Sequence, residues 1–184
     1  MTDAIAWEAP HGDHPARRAS QRSMTAVAAG RKDEWLALFA ADAVIEDPVG
    51  PSPLDPEGRG HHGLAGIERF YDRNFGAVSR FHFRVRDSFA NGLSCANLVT
   101  ITMWLGDSGA TMTVDGVMVY AIDEDGLLTS IRGHWEPDRA MATITGVALR
   151  PLDRVALRLL HVDAAGWGLP PVPAWLGLGD VPAG

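Results

Sequence analysis

The sequence predicts an α+β fold in which a curved antiparallel sheet wraps around three N-terminal helices and leaves an open cone. Two observations carry this prediction. The first part of the chain holds three segments with helical spacing of apolar residues, and the part that follows holds four strand-like runs separated by turn signals. Helices followed by a run of strands are typical of the α+β class. The inside of such a cone is the natural place for a ligand.

Local signals predict the three helices. Residues 16–29 are rich in Ala and Arg, and Gly30 can end that helix. Asp33 stands where an N-cap belongs, ahead of apolar residues whose helical spacing extends to Phe39. Residues 64–75 have an apolar stripe along one face, which predicts the third helix.

The sheet is predicted from the segments that follow. Residues 43–46 form a short extended segment that ends at Asp47–Pro48, because a residue before proline disfavours the helical conformation. Residues 49–60 are rich in Pro and Gly and are predicted to form a loop. Four long strands, separated by Gly-containing turns, are predicted over residues 81–89, 95–105, 110–123 and 127–135.

The chain is predicted to be one domain with two appended ends. Residues 1–15 are expected to be a flexible polar arm, residues 16–137 the cone, and residues 138–184 an extension that packs on it. Within the extension, residues 149–161 carry an amphipathic helical stripe, and a Pro- and Gly-rich tail with large apolar side chains follows. We expect this extension to cover the mouth of the cone as a lid opposite the 49–60 loop; the alternative is a contact between two copies of the chain.

Composition excludes several classes of partner. The 184 residues carry a formal net charge of −7, so nucleic acid and anionic membrane surfaces are poor partners. A single cysteine forms no intramolecular disulfide and fits a cytoplasmic protein. The N-terminal residues lack the apolar run of a secretory signal, and no stretch reaches the roughly 20 apolar residues of a membrane span.

One motif points beyond the fold. Residues 38–50 read LFAADAVIEDPVG, and this run resembles the corresponding segment of bacterial ketosteroid isomerases. Two weaker similarities accompany it, the GIERFY helix at residues 66–71 and the hairpin over residues 123–135. The resemblance extends from about Ala19 to Pro137 and includes the wider NTF2-like and SnoaL-like superfamily. It implies the same cone and no cofactor or metal.

The resemblance also implies roles for individual residues. Asp47 falls on the catalytic base, Tyr71 on a tyrosine that supports the oxyanion hole, and Trp135 on a tryptophan of the pocket wall. Two positions depart from the family. Ser23 replaces the principal oxyanion tyrosine, and Met118 replaces the protonated acid that is the second donor.

The residues themselves leave alternatives open. Asp47 could be only a turn residue ahead of its proline. Tyr120 has the same strand parity as Met118, so its hydroxyl could replace a missing oxyanion donor, or it could be a core aromatic residue. Asp115 has the opposite parity and should face away, unless a bulge near Gly116 reverses it.

The sequence also predicts which residues line the pocket. The methionines among them could instead belong to an ordinary sheet core. The residues expected to contact a hydrophobic ligand are Phe39, Val44, Phe70, Met103, Met118 and Trp135. Four dispersed histidines, without carboxylates at ligand spacing, give only a weak metal signal. Of these, His82 and His134 are reserve candidates for acid–base work.

The first functional hypothesis is therefore an enzyme that moves a proton on a hydrophobic, carbonyl-bearing small molecule such as a steroid or polyketide-like ring. Asp47 would be the general base, and Tyr71 with Tyr120 would polarise the oxygen. The rival is a cone that only binds a lipid or steroid, or a non-catalytic partner subunit. An epoxide hydrolase, cyclase or dehydratase on the same fold is a third reading. The resemblance implies a homodimer.

Overall fold

A computed structural model describes residues 4–9, 12–107 and 109–146, and within these ranges the chain forms four helices and seven strands. In chain order they are β1 (Ile5–Trp7), α1 (Pro15–Ala28), α2 (Lys32–Leu36), β2 (Phe39–Glu46), β3 (His61–His62), α3 (Gly63–Phe75), β4 (Val78–Asn91), β5 (Ser94–Leu105), β6 (Ala110–Ile122), β7 (Leu128–His134) and α4 (Pro137–Ala142).

The strands form one curved, open sheet in the order β1-β4-β5-β6-β7-β2-β3. Its centre is the antiparallel meander from β4 to β7, and two parallel pairs, β1 with β4 and β2 with β7, extend it. The predicted α+β fold, with helices against a curved and mostly antiparallel sheet, is confirmed. The inner face of the sheet follows the period-2 alternation of buried residues along β4 to β7.

A polar cluster buried against the sheet docks α1. The Asn97 side-chain nitrogen donates to the Ser20 hydroxyl at 3.0 Å. The Cys95 thiol donates to the Asn97 side-chain oxygen at 3.1 Å. Arg17 reaches from the same helix to the Ser88 hydroxyl at 2.9 Å. Buried polar groups are costly unless paired, so this set fixes how α1 sits on β4 and β5.

Three local predictions differ from the structure. The second helix ends before Phe39, because the backbone of that residue pairs with Leu128 and begins β2. Asp33 lies in the first turn of α2 rather than at its N-cap, which is Arg31. Part of the segment predicted to be a mobile arm forms β1, because the free edge of β4 accepts Ile5–Trp7 as a parallel partner.

The end of the described chain closes one side of the cone. Helix α4, which the sequence did not predict, packs against β6, and Ala140 and Ile144 join a small apolar cluster there. The predicted helix over residues 149–161 and the tail after it lie outside the described residues. None of the described helices is long and apolar enough to cross a membrane.

Candidate active site

A cavity of about 150 Å³ lies between the inner face of the sheet and helices α1, α3 and α4. Its wall is almost entirely apolar. From the sheet it is lined by Ile45, Phe81, Phe83, Ile101, Met103, Met112, Val114, Met118, Tyr120 and Ile131, and from the helices and loops by Ser23, Met24, Val27, Trp35, Pro53, Leu54, Phe70, Asn74, Phe75, Trp135, Pro137, Asp138, Ala140 and Met141, with Asp47 between the two groups.

Asp47 lies where β2 ends, directly before a cis peptide bond to Pro48. Its Oδ1 accepts a hydrogen bond from the Trp135 indole nitrogen at 2.5 Å. The residue is partly buried, and it borders the cavity. Burial raises the pKa of Asp47 from its usual value near 3.8 to about 6, and the hydrogen bond from Trp135 opposes only part of that rise.

Two glycines make the contact between Asp47 and Trp135 possible. A Cβ at Gly133 on β7 would overlap with the Asp47 carboxylate, and one at Gly116 on β6 would meet the Trp135 Cβ at 2.9 Å and the His134 carbonyl oxygen at 2.5 Å. The missing side chains therefore leave room for the acid and for the indole that holds it.

Tyr120 and Met118 project from β6 into the cavity, as their shared parity predicts. Within the described part of the chain the Tyr120 hydroxyl makes no hydrogen bond. Burial raises the pKa of this phenol above its usual range, and the nearby Asp47 and Cys95 add to the rise. The cavity thus holds a neutral phenol that is free to donate a hydrogen bond.

Tyr71, which was predicted to support the oxyanion hole, is not among the residues that line the cavity. Its ring packs against Trp35 and Phe75, with centroid distances of 5.3 and 5.1 Å. The charges that act on its hydroxyl belong to Lys32 and Asp72, an ion pair of two surface side chains at 2.8 Å. Tyr71 is thus a buried core residue behind the cavity wall, and burial is the main reason that the pKa of its phenol is raised.

Two predicted pocket residues also lie elsewhere. Val44 has the wrong strand parity, and its neighbour Ile45 lines the cavity instead. Phe39 is buried in the core behind the wall, edge to face with Trp35 at 4.7 Å. The other predicted contacts do line the cavity: Phe70, Met103, Met118 and Trp135.

The remaining polar candidates point away. Asp115 is on the outer face, where it accepts hydrogen bonds from Thr100 at 2.5 Å and Arg86 at 3.3 Å, so the parity argument holds and no bulge reverses it. His82 and His134 alternate with inward-facing neighbours and also lie on the outer face. This placement does not support the reserve acid–base role.

Sequence reasoning missed several cavity residues. Phe81, Phe83 and Ile101 alternate with outward-facing residues along β4 and β5, so strand periodicity could have identified them. Phe75, Asn74 and Asp138 had no comparable signal, because the mouth of the cavity is formed by ends of helices that only the tertiary structure brings together.

Comparison with known proteins shows the family of the chain. The model of the SnoaL-like domain matches residues 20–131. A steroid Delta-isomerase of Nocardioides simplex is 34% identical over 128 residues, covering 69% of this chain and 94% of that protein.

Two solved structures are similar over most of their length. The Delta 5-3-ketosteroid isomerase from Mycobacterium sp. is 34% identical, with a TM-score of 0.64 over 72% of this chain and 98% of its own. RV0760c from Mycobacterium tuberculosis, in complex with estradiol-17beta-hemisuccinate, is 34% identical, with a TM-score of 0.64 over 72% and 99% of the two chains. The resemblance inferred from residues 38–50 is therefore confirmed, and the chain belongs to the SnoaL-like family, in its branch related to the ketosteroid isomerases.

Proposed function

We propose that the protein is a ketosteroid isomerase-like enzyme that moves a proton on a hydrophobic, carbonyl-bearing small molecule, with Asp47 as the general base. One observation carries the proposal: a carboxylate with its pKa raised to about 6 borders a cavity whose wall is otherwise almost entirely apolar. The relatives named as steroid isomerases support the reaction class and a steroid-like ligand.

The pKa of Asp47 suits a base that works near neutral pH. At pH 7 a group with a pKa of about 6 is roughly 90% ionised, yet it holds a proton far better than an exposed aspartate. In the proposed reaction the carboxylate removes a proton from the carbon beside the carbonyl, giving an enolate and a protonated Asp47. It then returns the proton to a different carbon of the same molecule, so nothing else is consumed.

Tyr120 is the proposed donor to the carbonyl oxygen. Its hydroxyl has no partner among the described residues, and its strand places it in the same cavity as Asp47. A neutral donor held in a cavity that excludes water stabilises the charge that develops on the oxygen. Tyr71 has no part in this proposal, because it is not among the residues that line the cavity.

Turnover of a Δ5-3-ketosteroid to the conjugated enone, followed by absorbance, tests the proposal. Asp47→Asn is expected to abolish most of the activity, whereas Glu46→Gln should retain it because that carboxylate binds Arg132 at the surface, at 2.6 Å. We expect the wild-type rate to fall well below that of the steroid isomerases in the family, since the Met118 thioether cannot donate a hydrogen bond and the Ser23 hydroxyl is less acidic than the phenol it replaces. Unchanged turnover in Asp47→Asn would contradict the proposal.

A binding function is the second candidate, and Met118 favours it. This side chain is 5% exposed and places a thioether where the family has a protonated acid. Losing one such donor typically costs about 10² to 10³ in rate. Quenching of tryptophan fluorescence by a steroid, since Trp35 and Trp135 line the cavity, would measure affinity independently of turnover. Tight binding with no turnover of any ketosteroid tested would favour the binding cone.

A further inference from the structure

Helix α1 carries three hydroxyl side chains in one stretch, and one of them does not donate to the backbone of its own helix. Hydroxyls inside helices commonly donate back to a carbonyl three or four residues earlier. Ser20 does so to the Arg17 carbonyl at 2.8 Å, and Thr25 to the Gln21 carbonyl at 2.7 Å. Ser23 makes no such bond, and none of the described residues accepts its proton.

The oxygen of Ser23 is held by another group. The Trp35 indole nitrogen donates to the Ser23 hydroxyl oxygen at 2.9 Å, and both residues are about 2% exposed. The Trp35 ring is itself fixed by packing against Phe39 and Tyr71. This hydrogen bond occupies one lone pair of the Ser23 oxygen. The hydroxyl proton of Ser23 has no acceptor among the described residues.

Both residues line the same cavity as Asp47 and Tyr120. A buried hydroxyl without an acceptor costs free energy unless a ligand or water supplies one. The cavity wall offers two hydroxyl protons that no described residue accepts, those of Ser23 and Tyr120, and a ligand carbonyl can accept two hydrogen bonds.

We infer that Ser23, oriented by Trp35, is the second hydrogen-bond donor to the carbonyl oxygen of the ligand and acts together with Tyr120. The inference rests on the proposed function. The serine side chain is much shorter than that of a tyrosine at the same position of the helix. The ligand carbonyl must therefore come closer to α1 to reach the Ser23 hydroxyl. Ser23 is then a catalytic residue, and Trp35 is a positioning residue that keeps the serine from bonding to its own helix.

A phenolate probe tests the inference without turnover. 2-Naphthol is flat and apolar, its ionised oxygen resembles an enolate, and its fluorescence distinguishes the neutral from the ionised form. The measurement uses the full chain carrying Asp47→Asn, which imitates the neutral acid present beside the enolate. In this background we expect Ser23→Ala to weaken binding of the ionised probe by about 10- to 100-fold. The pKa of the bound naphthol should rise by the corresponding one to two units.

Matched variants separate donation from folding. Thr25→Ala, which removes an exposed hydroxyl bonded to its own helix, should leave the naphthol pKa unchanged. Trp35→Phe should also raise the pKa of bound naphthol, because Ser23 can then donate to a carbonyl of its own helix instead of to the probe. The rise should be smaller than in Ser23→Ala, which removes the hydroxyl altogether. Ser23→Ala leaves the Trp35 indole N–H without an acceptor, which could unfold the protein. The double variant Ser23→Ala/Trp35→Phe removes both partners of that bond. It should show the same rise in the pKa of bound naphthol as Ser23→Ala.

The outcomes distinguish the two proposals. If Tyr120→Phe raises the pKa of bound naphthol but Ser23→Ala matches Thr25→Ala, the role of Ser23 is wrong and the proposed function stands. If the Asp47→Asn protein binds no naphthol, the carbonyl pocket itself is contradicted. In the otherwise unchanged protein, Ser23→Ala should also lower kcat by about 10² or more with little change in KM.

Discussion

At the scale of single residues, Asp47 combines poor solvation with one hydrogen bond. Burial raises its pKa to about 6, and the bond from Trp135 is the main opposing influence. A raised carboxylate pKa means that the folded state holds the proton more tightly than the unfolded chain does. Ionised Asp47 therefore lowers the free energy of unfolding. The same apolar environment that makes Asp47 a useful base reduces the stability of the fold.

Replacing Asp47 with Asn should stabilise the fold at neutral pH. Between the unfolded pKa near 3.8 and the folded value of about 6, the folded state binds more protons, so the wild-type free energy of unfolding falls as pH rises. Above pH 6 the penalty is complete, and the variant should be more stable by up to about 3 kcal/mol. Denaturant unfolding at pH 3.5, 5 and 7.5 measures this. A difference that does not shrink at pH 3.5 would contradict the assigned cause.

Replacing Trp135 with Phe should move the pH dependence of activity. The ring is kept, but the indole N–H that favours the ionised form of Asp47 is lost, so the pKa of this carboxyl should rise above 6. The lower limb of the kcat/KM profile then shifts to higher pH. A Trp35→Phe variant, whose indole bonds to Ser23 instead, is the control and should leave the midpoint in place.

At the scale of secondary-structure elements, the site depends on how closely β7 passes Asp47. Strand β7 pairs with β2 on one side and β6 on the other, so its position is fixed by the sheet. Only a residue without a Cβ fits at Gly133, where the carboxylate and the Met118 thioether, 3.1 Å from the Cβ position, fill the space. The strand pairing therefore places the base, and the glycine gives it room.

Gly133→Ala should lower activity far more than a surface change on the same strand. The added methyl would displace the Asp47 carboxylate from Trp135, and we expect kcat to fall at least tenfold along with a loss of stability of about 1–3 kcal/mol. Ser130→Ala, on the outward side of β7, is the matched control. Crystal structures or NMR spectra of Asp47 in the variant would show the displacement, and an unmoved carboxylate with normal turnover would refute this account.

Helix α4 forms one side of the cavity mouth and is tied to β6 through Thr143. The Thr143 hydroxyl accepts the Thr113 backbone N–H at 2.8 Å, and its proton has two acceptors in reach, the Ala140 carbonyl at 2.6 Å and the Thr113 carbonyl at 3.0 Å. The cavity of about 150 Å³ is smaller than the roughly 300–1,000 Å³ usual for small-molecule pockets. A ligand with several fused rings therefore needs more room than this cavity offers, and we propose that outward movement of α4 provides it.

Thr143→Val should release α4 and accelerate ligand exchange. Valine keeps the shape but removes both hydrogen bonds, worth about 0.5–1.5 kcal/mol each, so steroid association and dissociation rates should both rise several-fold. Stopped-flow tryptophan fluorescence measures the two rates. Thr143→Ser, which retains the hydroxyl, should behave like the wild type. Equal rates in all three proteins would show that α4 does not gate the cavity.

At the scale of the whole molecule, we propose that the outer face of the sheet is where a second copy of the chain binds. Leu98 is 37% exposed on this face and lies opposite Val117 in the β5–β6 register. An exposed ion pair between Arg86 and Asp115, at 3.3 Å, lies on the same face. An apolar centre with a charged rim is typical of protein–protein contacts.

We predict a homodimer that Leu98→Arg converts to monomer. The added charge would be desolvated at the centre of the contact, which raises the dissociation constant by at least 10²-fold. Light scattering coupled to gel filtration measures the mass. Leu127→Arg, exposed in the turn before β7, is the control and should remain dimeric. A wild-type protein that is monomeric at all concentrations would refute the expectation.

Strand periodicity in the sequence determined which side of the sheet faces the cavity. Alternation put Tyr120 on the same side of its strand as Met118 and Asp115 on the other, because a strand offers each residue only two directions. Asp47 was singled out differently, by the resemblance of residues 38–50 to a known family, and the structure places it at the border of the cavity. The order and class of the long elements followed from equally local signals.

Only the tertiary structure decided which polar groups meet. The bond between Asp47 and Trp135 joins residues 88 positions apart. The bond between Ser23 and Trp35 depends on the angle between two helices, and it leaves the Ser23 proton to the cavity. Tyr71 follows Phe70 on α3, but Phe70 lines the cavity whereas Tyr71 is buried beside Trp35 and Phe75. Such contacts are set by packing between distant segments, and no local pattern in the sequence encodes them.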